Sequence, residues 1–336
     1  MKIMFNFLKN KLTITIPIVM MAGLIVGYFF NVGFLKNYIV FFTIVMILPM
    51  MVGIHYKELT AGKDYILQLT ALFINFIVIP PIAFFIGKLF FPSNPLIVTG
   101  LLISGLLPTS GMTISWTGLA KGNVQSAVKM TIIGLISGSL LTPLYINLFM
   151  GESVKIPLLD VFKQIILIIF IPMLAGYLIQ KLLIKVAGKE NFRLKIKPEL
   201  ASISTIGVFA VIFIAIALKA KSLVNNPIVL PAIFGSIVVF YLINFAISTL
   251  FATKFFGYKD GVALIYGTVL RNLSLALAIA ITTFGQNGAE ISLIISASYI
   301  IQVQFSAWYL KLSKYFFKID ETDLTINVLN ENKQEA

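Results

Sequence analysis

Residues 96–123 read LIVTGLLISGLLPTSGMTISWTGLAKGN, an apolar stretch long enough to cross a membrane but interrupted in its middle. Pro108 lies at the interruption, and proline cannot donate the backbone hydrogen bond that a helix interior requires. The hydroxyl group of Thr109 or Ser110 can cap the half-helix that follows. This stretch therefore predicts a membrane helix that is broken at residues 107–111.

A second apolar stretch, residues 261–285, carries the same kind of interruption. It reads GVALIYGTVL, then RNLS at 271–274, then LALAIAITTFG. A charge, an amide and a hydroxyl group in the middle of an apolar span indicate unwound backbone there. Such backbone is tolerated at membrane depth only where protein or water covers it, so both breaks are expected inside the protein.

The two breaks occupy equivalent places in the two halves of the chain. A shift of 163 residues places Leu107 on Leu270 and Thr109 on Asn272. With five predicted helices in each half, an odd number, the second half enters the membrane from the opposite side. The sequence therefore predicts an inverted repeat with one broken helix per half, a pattern typical of transporters that bind their solute at the breaks.

Composition places the chain in lipid. Its 336 residues are 59% hydrophobic and 12% charged, whereas soluble domains carry about 25% charged residues. The fold class is therefore an all-α membrane protein of about ten transmembrane helices. We expect residues 1–318 to form a single transmembrane domain, followed by a polar cytoplasmic tail at 319–336. The predicted spans are 12–30, 35–56, 66–90, 95–120, 124–150, 156–186, 198–218, 227–253, 260–284 and 289–316.

Basic residues predict the orientation. Of the 26 Lys and Arg residues, 18 fall in segments on the side of the N-terminus, 6 on the opposite side and 2 within spans. This bias predicts a multi-pass protein of the cell membrane with both termini in the cytoplasm. The net charge of +13 therefore reflects membrane orientation, and no nucleic-acid partner is expected. The expected partners are a small solute and the lipid bilayer, with no cofactor.

Lys129 and Arg271 are the two basic residues within predicted spans, and a buried cation needs compensation. No Asp or Glu is predicted at comparable depth, since Asp160 and Glu290 lie near span ends. The N-termini of the second half-helices also carry partial positive charge. Together these features favour an anionic solute. Two structural alternatives stay open: Arg271 could clamp carbonyl groups at a helix end, and Lys129 could extend towards the membrane surface.

The motifs around the breaks resemble the superfamily that joins bile acid:sodium symporters with arsenical-resistance arsenite permeases. Pro108, LAKGN at 119–123 and LLTP at 140–143 are similar to the symporters, whereas Trp116 and FGQNGAE at 284–290 are similar to the permeases. The resemblance implies two parts that rock against each other around the crossing of the broken helices. These are a panel domain at 12–56 and 156–218, and a core domain at 66–150 and 227–316.

The resemblance also locates departures. Where the symporters have a sodium-binding Ser-Asn pair, this chain has Thr113 and Ile114. At further sodium-site positions it has Ala127, Thr131, Gly267 and Arg271, so coupling to sodium is not expected. Thr109 takes the place of the permease cysteine and Ser274 that of its glutamate; the chain has no cysteine at all. The predicted solute-binding residues are Pro108, Thr109, Ser110, Gly111, Thr113, Lys129, Thr131, Arg271, Asn272 and Ser274, and no metal ligand is predicted.

The predicted function is a secondary transporter that moves a small, anionic solute by alternating access, without sodium coupling. Two alternatives stay open: an efflux permease for arsenite or a related metalloid oxyanion, and a sodium-coupled symporter of a bile-acid-like organic anion. An intramembrane enzyme is not expected, because the chain has one His, no Cys and no acidic pair inside a span.

Overall fold

A computed structural model describes residues 12–53, 64–151, 162–163, 165–225 and 229–317. These residues are helical, with short connections and no β-strand beyond one isolated bridge within the described ranges. The all-α prediction is confirmed there. The predicted tail at 319–336, Asp160 and the beginning of the sixth span at 156–161 lie outside the described residues.

The described residues contain twelve helices of nine or more residues, and each predicted span overlaps at least one of them. A 3-10 turn at Gly33–Tyr38 precedes α2, and π-helical segments occur at Ile74–Val78 within α3 and at Ile166–Phe170 before α7. The bounds of the twelve helices are α1 Leu12–Phe29, α2 Ile39–Val52, α3 Tyr65–Phe90, α4 Pro95–Leu106, α5 Gly111–Leu119, α6 Val124–Met150, α7 Ile171–Ala187, α8 Lys197–Asn225, α9 Val229–Phe255, α10 Tyr258–Val269, α11 Leu273–Thr283 and α12 Gly288–Phe316.

Within the described residues, six helical segments are long and apolar enough to cross a membrane. Three shorter apolar segments, Thr15–Phe29, Pro95–Leu106 and Leu273–Thr283, fall below the full length. Two of these three are the half-helices α4 and α11, which are short because the breaks divide them. The six segments are Gly33–Val52, Tyr65–Phe90, Val124–Met150, Lys189–Lys221, Val229–Phe255 and Gly285–Ser313.

The broken helices form the centre of the molecule. Every residue of α4 from Ile97 to Leu106 is buried, and so are all residues of α10 from Gly261 to Val269. A helix that is apolar on all sides is expected to be enclosed by other helices. Helix α4 is surrounded by α3, α6, α11 and α12, while α10 packs on α9 and α6.

Helices α1, α2, α7 and α8 pack against one another at the side of this centre. The closest approach is at Gly27 of α1, where an added Cβ would lie 2.1 Å from the carbonyl oxygen of Ala217 in α8. Only glycine allows the two backbones to come so near. Helix α12 packs against both α1 and α8, so it joins this group to the buried helices.

Candidate functional site

The two breaks meet each other directly. Pro108 and Arg271 form an isolated antiparallel β-bridge. The amide of Thr109 donates to the carbonyl oxygen of Leu270 at 2.7 Å, and the amide of Asn272 donates to that of Leu107 at 2.7 Å. A shift of 163 residues exchanges these two hydrogen bonds. The unwound backbone of each half is therefore satisfied by the other half rather than by water.

The first break runs from Leu107 to Ser110. The hydroxyl oxygen of Ser110 accepts from the amide of Met112 at 3.2 Å, and that of Thr113 accepts from the amide of Ser110 at 3.1 Å. This reciprocal pair is a capping box that starts α5. Of the two candidate caps, Ser110 is the one that caps α5. Thr109 does not cap it, since its hydroxyl group donates to the carbonyl oxygen of Pro108 at 2.6 Å.

Thr109 has a φ angle of 62°, in the left-handed region. A β-branched residue rarely adopts this conformation, which costs about 1–2 kcal/mol. The hydrogen bond to Leu270 holds Thr109 in place despite this cost. Backbone strain of this kind is concentrated at functional sites in proteins.

The second break is shorter than predicted and runs from Leu270 to Asn272. The side-chain oxygen of Asn272 accepts from the amide of Leu275 at 3.2 Å, and this cap starts α11 at Leu273. Ser274, which was predicted to lie in the break, belongs to the first turn of the helix. Its hydroxyl group forms a hydrogen bond with that of Tyr299 at 2.8 Å.

Arg271 is fully buried and clamps two helix ends. Its Nη1 donates to Asn75 Oδ1 at 2.9 Å and to the carbonyl oxygen of Gly105 at 3.2 Å, and its Nη2 donates to the carbonyl oxygen of Thr268. Gly105 and Thr268 are the penultimate residues of α4 and α10, where carbonyl groups lack intrahelical partners. The geometry therefore matches the structural alternative for Arg271, and no solute-accessible surface remains on its side chain.

Gln302 of α12 binds the backbone of Arg271, although Gln302 is not among the predicted site residues. Its Oε1 accepts from the amide of Arg271 at 2.7 Å, and its Nε2 donates to the carbonyl oxygen of Arg271 at 3.3 Å. The hydroxyl group of Tyr241 also donates to Oε1, at 2.7 Å. One side chain therefore satisfies both backbone groups of an unwound residue. The sequence signal that could have identified Gln302 is an amide side chain inside an apolar helix.

We expect Gln302→Leu to lower the melting temperature of the purified protein. The change leaves the buried amide of Arg271 without its acceptor, which costs about 1–3 kcal/mol. Thermal unfolding in detergent measures the effect. Gln304→Leu, on a less buried position of the same helix, is the matched control, and equal melting temperatures of the two variants would contradict the assigned role.

Lys129 belongs to a separate cluster, and the prediction that it lacks an acidic partner is wrong. It forms an ion pair with Asp64, with side chains 4% and 17% exposed. Asp64 also accepts from the hydroxyl group of Ser126, and from Gln68 Nε2 at 2.8 Å. The predicted third span starts at residue 66 and so excludes Asp64, whereas the structure places Asp64 directly before α3, where it faces the first turns of α6.

The carboxyl group of Asp64 lies outside the membrane-spanning segments and has a perturbed pKa. Burial raises the pKa, but hydrogen bonds from Lys129, Ser126 and Gln68 lower it, and the net pKa lies below its ordinary value. Hydrogen bonds and a nearby positive charge both favour the ionised form of a carboxyl group. Lys129 is therefore compensated by a carboxylate and does not require an anionic solute.

The other predicted residues differ in accessibility. Thr131 is buried, and its hydroxyl group donates to the carbonyl oxygen of Ala127 at 2.8 Å. Thr113 is also buried, in the capping box. Gly111 is exposed, and a Cβ added to it would meet nothing within 4 Å. Open space therefore adjoins the positive N-terminal end of α5, close to the paired breaks.

A cavity of about 580 Å³ lies between α2 and the end of α11. Thr43 and Ile47 line it from α2, Lys36 lines it from the preceding 3-10 turn, and Thr282 and Gln286 line it from the opposite wall. Its volume is within the usual range of small-molecule sites. Thr43 Oγ1 is buried and has no partner among the described residues. This cleft separates helices of the predicted panel domain from helices of the predicted core domain.

Comparisons with known proteins agree with a transport role. The arsenical-resistance protein Acr3 of Corynebacterium glutamicum is 24% identical over 261 residues, 74% of this chain and 70% of the relative. Acr3 of Alkaliphilus metalliredigens is 25% identical over 222 residues, 64% and 61% of the two chains. Sodium/bile acid cotransporter 7 of Xenopus tropicalis is 25% identical over 196 residues, 55% and 54%.

The family comparison matches a continuous region. Residues 39–226 match the family described as Sodium Bile acid symporter family, from α2 through α8. Members of this family and the relatives above are transport and resistance proteins, so the chain is a multi-pass membrane transporter and not an enzyme. Because the matched region covers more than half of the chain, the protein belongs to the sodium bile acid symporter family.

Proposed function

We propose that this protein is a secondary transporter that carries a small, anionic solute by alternating access and without sodium coupling. The observation that carries the proposal is the contact of two broken helices through paired backbone hydrogen bonds, with open space beside Gly111. Half-helix ends at such a crossing can bind a charged group through peptide dipoles. The residues proposed to face the solute are Ser110, Gly111, Asn272 and Ser274, whereas Thr113 is fully buried in the capping box and is proposed to support the start of α5.

The proposed architecture has ten spans in an inverted repeat, with both termini in the cytoplasm. Its support is the exchange of the hydrogen bonds Thr109–Leu270 and Asn272–Leu107 under one sequence shift. The panel domain, at 12–56 and 156–218, is proposed to move against the core domain, at 66–150 and 227–316. The cleft lined by Thr43 and Thr282 lies between them and supports this division.

Lys129 and Arg271 no longer support an anionic solute, because both are compensated within the protein. Asp64 compensates Lys129, and helix-end carbonyl groups surround Arg271. The remaining support is the N-terminal ends of α5 and α11, whose partial positive charges face the crossing. Lys36, which lines the cleft between the proposed panel and core domains, adds a cation to its wall.

We expect Gly111→Leu to reduce solute flux by at least tenfold while leaving the melting temperature almost unchanged. The new side chain fills the open space at the start of α5 without meeting another group at its Cβ. Gly257→Leu is the matched control, because Gly257 precedes α10 and an added Cβ there also meets nothing within 4 Å. Undiminished counterflow by Gly111→Leu in proteoliposomes would refute the proposed site.

Two other substrates are supported by the names of relatives. The Acr3 proteins favour export of arsenite or a related oxyanion, and the cotransporter favours a sodium-coupled organic anion. Counterflow of arsenite and of a bile-acid-like carboxylate, each in sodium and in choline buffer, separates these alternatives. Arsenite exchange supports the first alternative, and carboxylate exchange that requires sodium supports the second and contradicts the proposed absence of sodium coupling.

A further inference from the structure

We infer that the guanidinium group of Arg271 is a tethered cation that fills an oxygen cage able to bind a monovalent metal ion once the guanidinium is removed. The cage is formed by Asn75 Oδ1 and by the carbonyl oxygens of Gly105 and Thr268. The consequence of this inference for transport rests on the proposed function, but the cage itself does not.

The cage consists of acceptor atoms alone. Gly105 and Thr268 are equivalent under the 163-residue shift, and their carbonyl groups lie in the last turns of α4 and α10. The negative ends of two helix dipoles therefore converge on one point. The third oxygen is oriented by its own amide, because Asn75 Nδ2 donates to the carbonyl oxygen of Gly267 at 3.0 Å. Converging oxygen atoms are the ligands that hard cations prefer.

The charge of Arg271 is compensated by these oxygens. Among the described residues, no carboxylate lies within ion-pair distance of the guanidinium, which is completely buried. An isolated charge would not be stable there, so the helix ends must supply the compensating field. Arg271 Nε has no acceptor in the described part of the chain. The cage therefore matches a positive charge better than it matches the full donor pattern of arginine.

The cation cannot leave, because its backbone is fixed. Gln302 binds both backbone groups of Arg271, and the bridge to Pro108 fixes the neighbouring residues. A free ion in this cage would bind and dissociate during a transport cycle, whereas the guanidinium supplies the same charge permanently. We therefore assign Arg271 as a positioning residue that makes the crossing of the broken helices independent of dissolved cations.

The test compares Arg271→Gln with the unaltered protein in detergent, in NaCl, LiCl, KCl or choline chloride at equal ionic strength and without solute. The unaltered protein is expected to melt at the same temperature in all four salts. Arg271→Gln is expected to melt at a lower temperature in choline and to gain about 3 °C or more in NaCl or LiCl. Gln302→Leu, which disturbs the same break but keeps the charge, is expected to show no difference between salts.

A second pair of variants covers the case in which Arg271→Gln does not fold. Arg271→Lys keeps a cation and is expected to melt well above Arg271→Met, since an ammonium group also satisfies carbonyl oxygens. The inference is overturned if Arg271→Lys and Arg271→Met are equally destabilised, or if folded Arg271→Gln is insensitive to salt. If the salt effects are as expected but the unaltered protein shows no solute flux, the cation cage is supported and the proposed transport function is refuted instead.

Discussion

Gly138→Val is expected to lower the melting temperature by several degrees and to abolish solute flux. A Cβ at position 138 would lie 2.8 Å from the carbonyl oxygen of Leu106 and 3.1 Å from Cδ of Pro108. Leu106 is the last residue of α4 and Pro108 lies in the first break, and neither can rotate away as a flexible side chain can. Overpacking of this kind costs about 1–3 kcal/mol or more, and here it also displaces the break from its partner.

Gly118→Val is the control for this experiment. Gly118 also lies within a helix, so both substitutions carry a similar change in helix propensity. Its added Cβ would meet only a side-chain carbon of Val124 at 3.6 Å, an ordinary contact. Thermal unfolding and counterflow are measured on both variants. If Gly138→Val transports as well as Gly118→Val, close packing of α6 against the break is not required for function.

Much of the fold was predictable because membrane spans leave a strong one-dimensional signal. The described helices that overlap the predicted spans 66–90 and 124–150 begin and end within one residue of the predicted bounds. The first break was also predictable, since Pro108 removes a backbone donor and Ser110 is a strong cap. The contact between the breaks followed from the requirement that unwound backbone be covered by protein.

The side-chain partners within the site were less predictable. Arg271 and Asn75 are 196 residues apart, and only the relative rotation of α3 and α10 decides whether they meet. Asn75 itself lies in the π-helical segment Ile74–Val78, where the wider turn changes the direction of the side chains, and this segment has no clear sequence signal. The sequence therefore indicated that Arg271 needed compensation but could not distinguish a solute from helix-end carbonyl groups.

The pair of Asp64 and Lys129 shows a different kind of failure. Asp64 directly precedes α3, and Lys129 lies in the second turn of α6. Both positions fall on the same predicted side of the membrane, so matching their depths would have found the pair. The predicted span starts at residue 66 and so excludes Asp64, although a residue just before a helix start can contact a neighbouring helix as well as one inside the span can.

Asp64→Asn is expected to destabilise the protein by about 2–3 kcal/mol at neutral pH. Removing one member of a buried ion pair costs about 3–5 kcal/mol, and the partial exposure of Asp64 reduces this cost. The double variant Asp64→Asn/Lys129→Gln is expected to be more stable than Asp64→Asn alone, because it also removes the ammonium group that has lost its carboxylate. Strictly additive losses in this double-mutant cycle would show that the two residues are not coupled.

The same pair predicts a pH dependence with a defined sign. Since the pKa of Asp64 is lower in the folded protein than its ordinary value of about 3.9, the unfolded chain binds the proton more readily. The stabilisation is therefore fully present above about pH 5, where the carboxyl group of the unfolded chain is also ionised, and is lost as the pH falls through the folded pKa. The difference in melting temperature between the unaltered protein and Asp64→Asn should be constant from pH 7 to about pH 5 and should shrink in more acidic buffer. A difference that instead grew on acidification would mean that the folded state binds the proton more tightly, which is incompatible with an ionised Asp64 held by Lys129, Ser126 and Gln68.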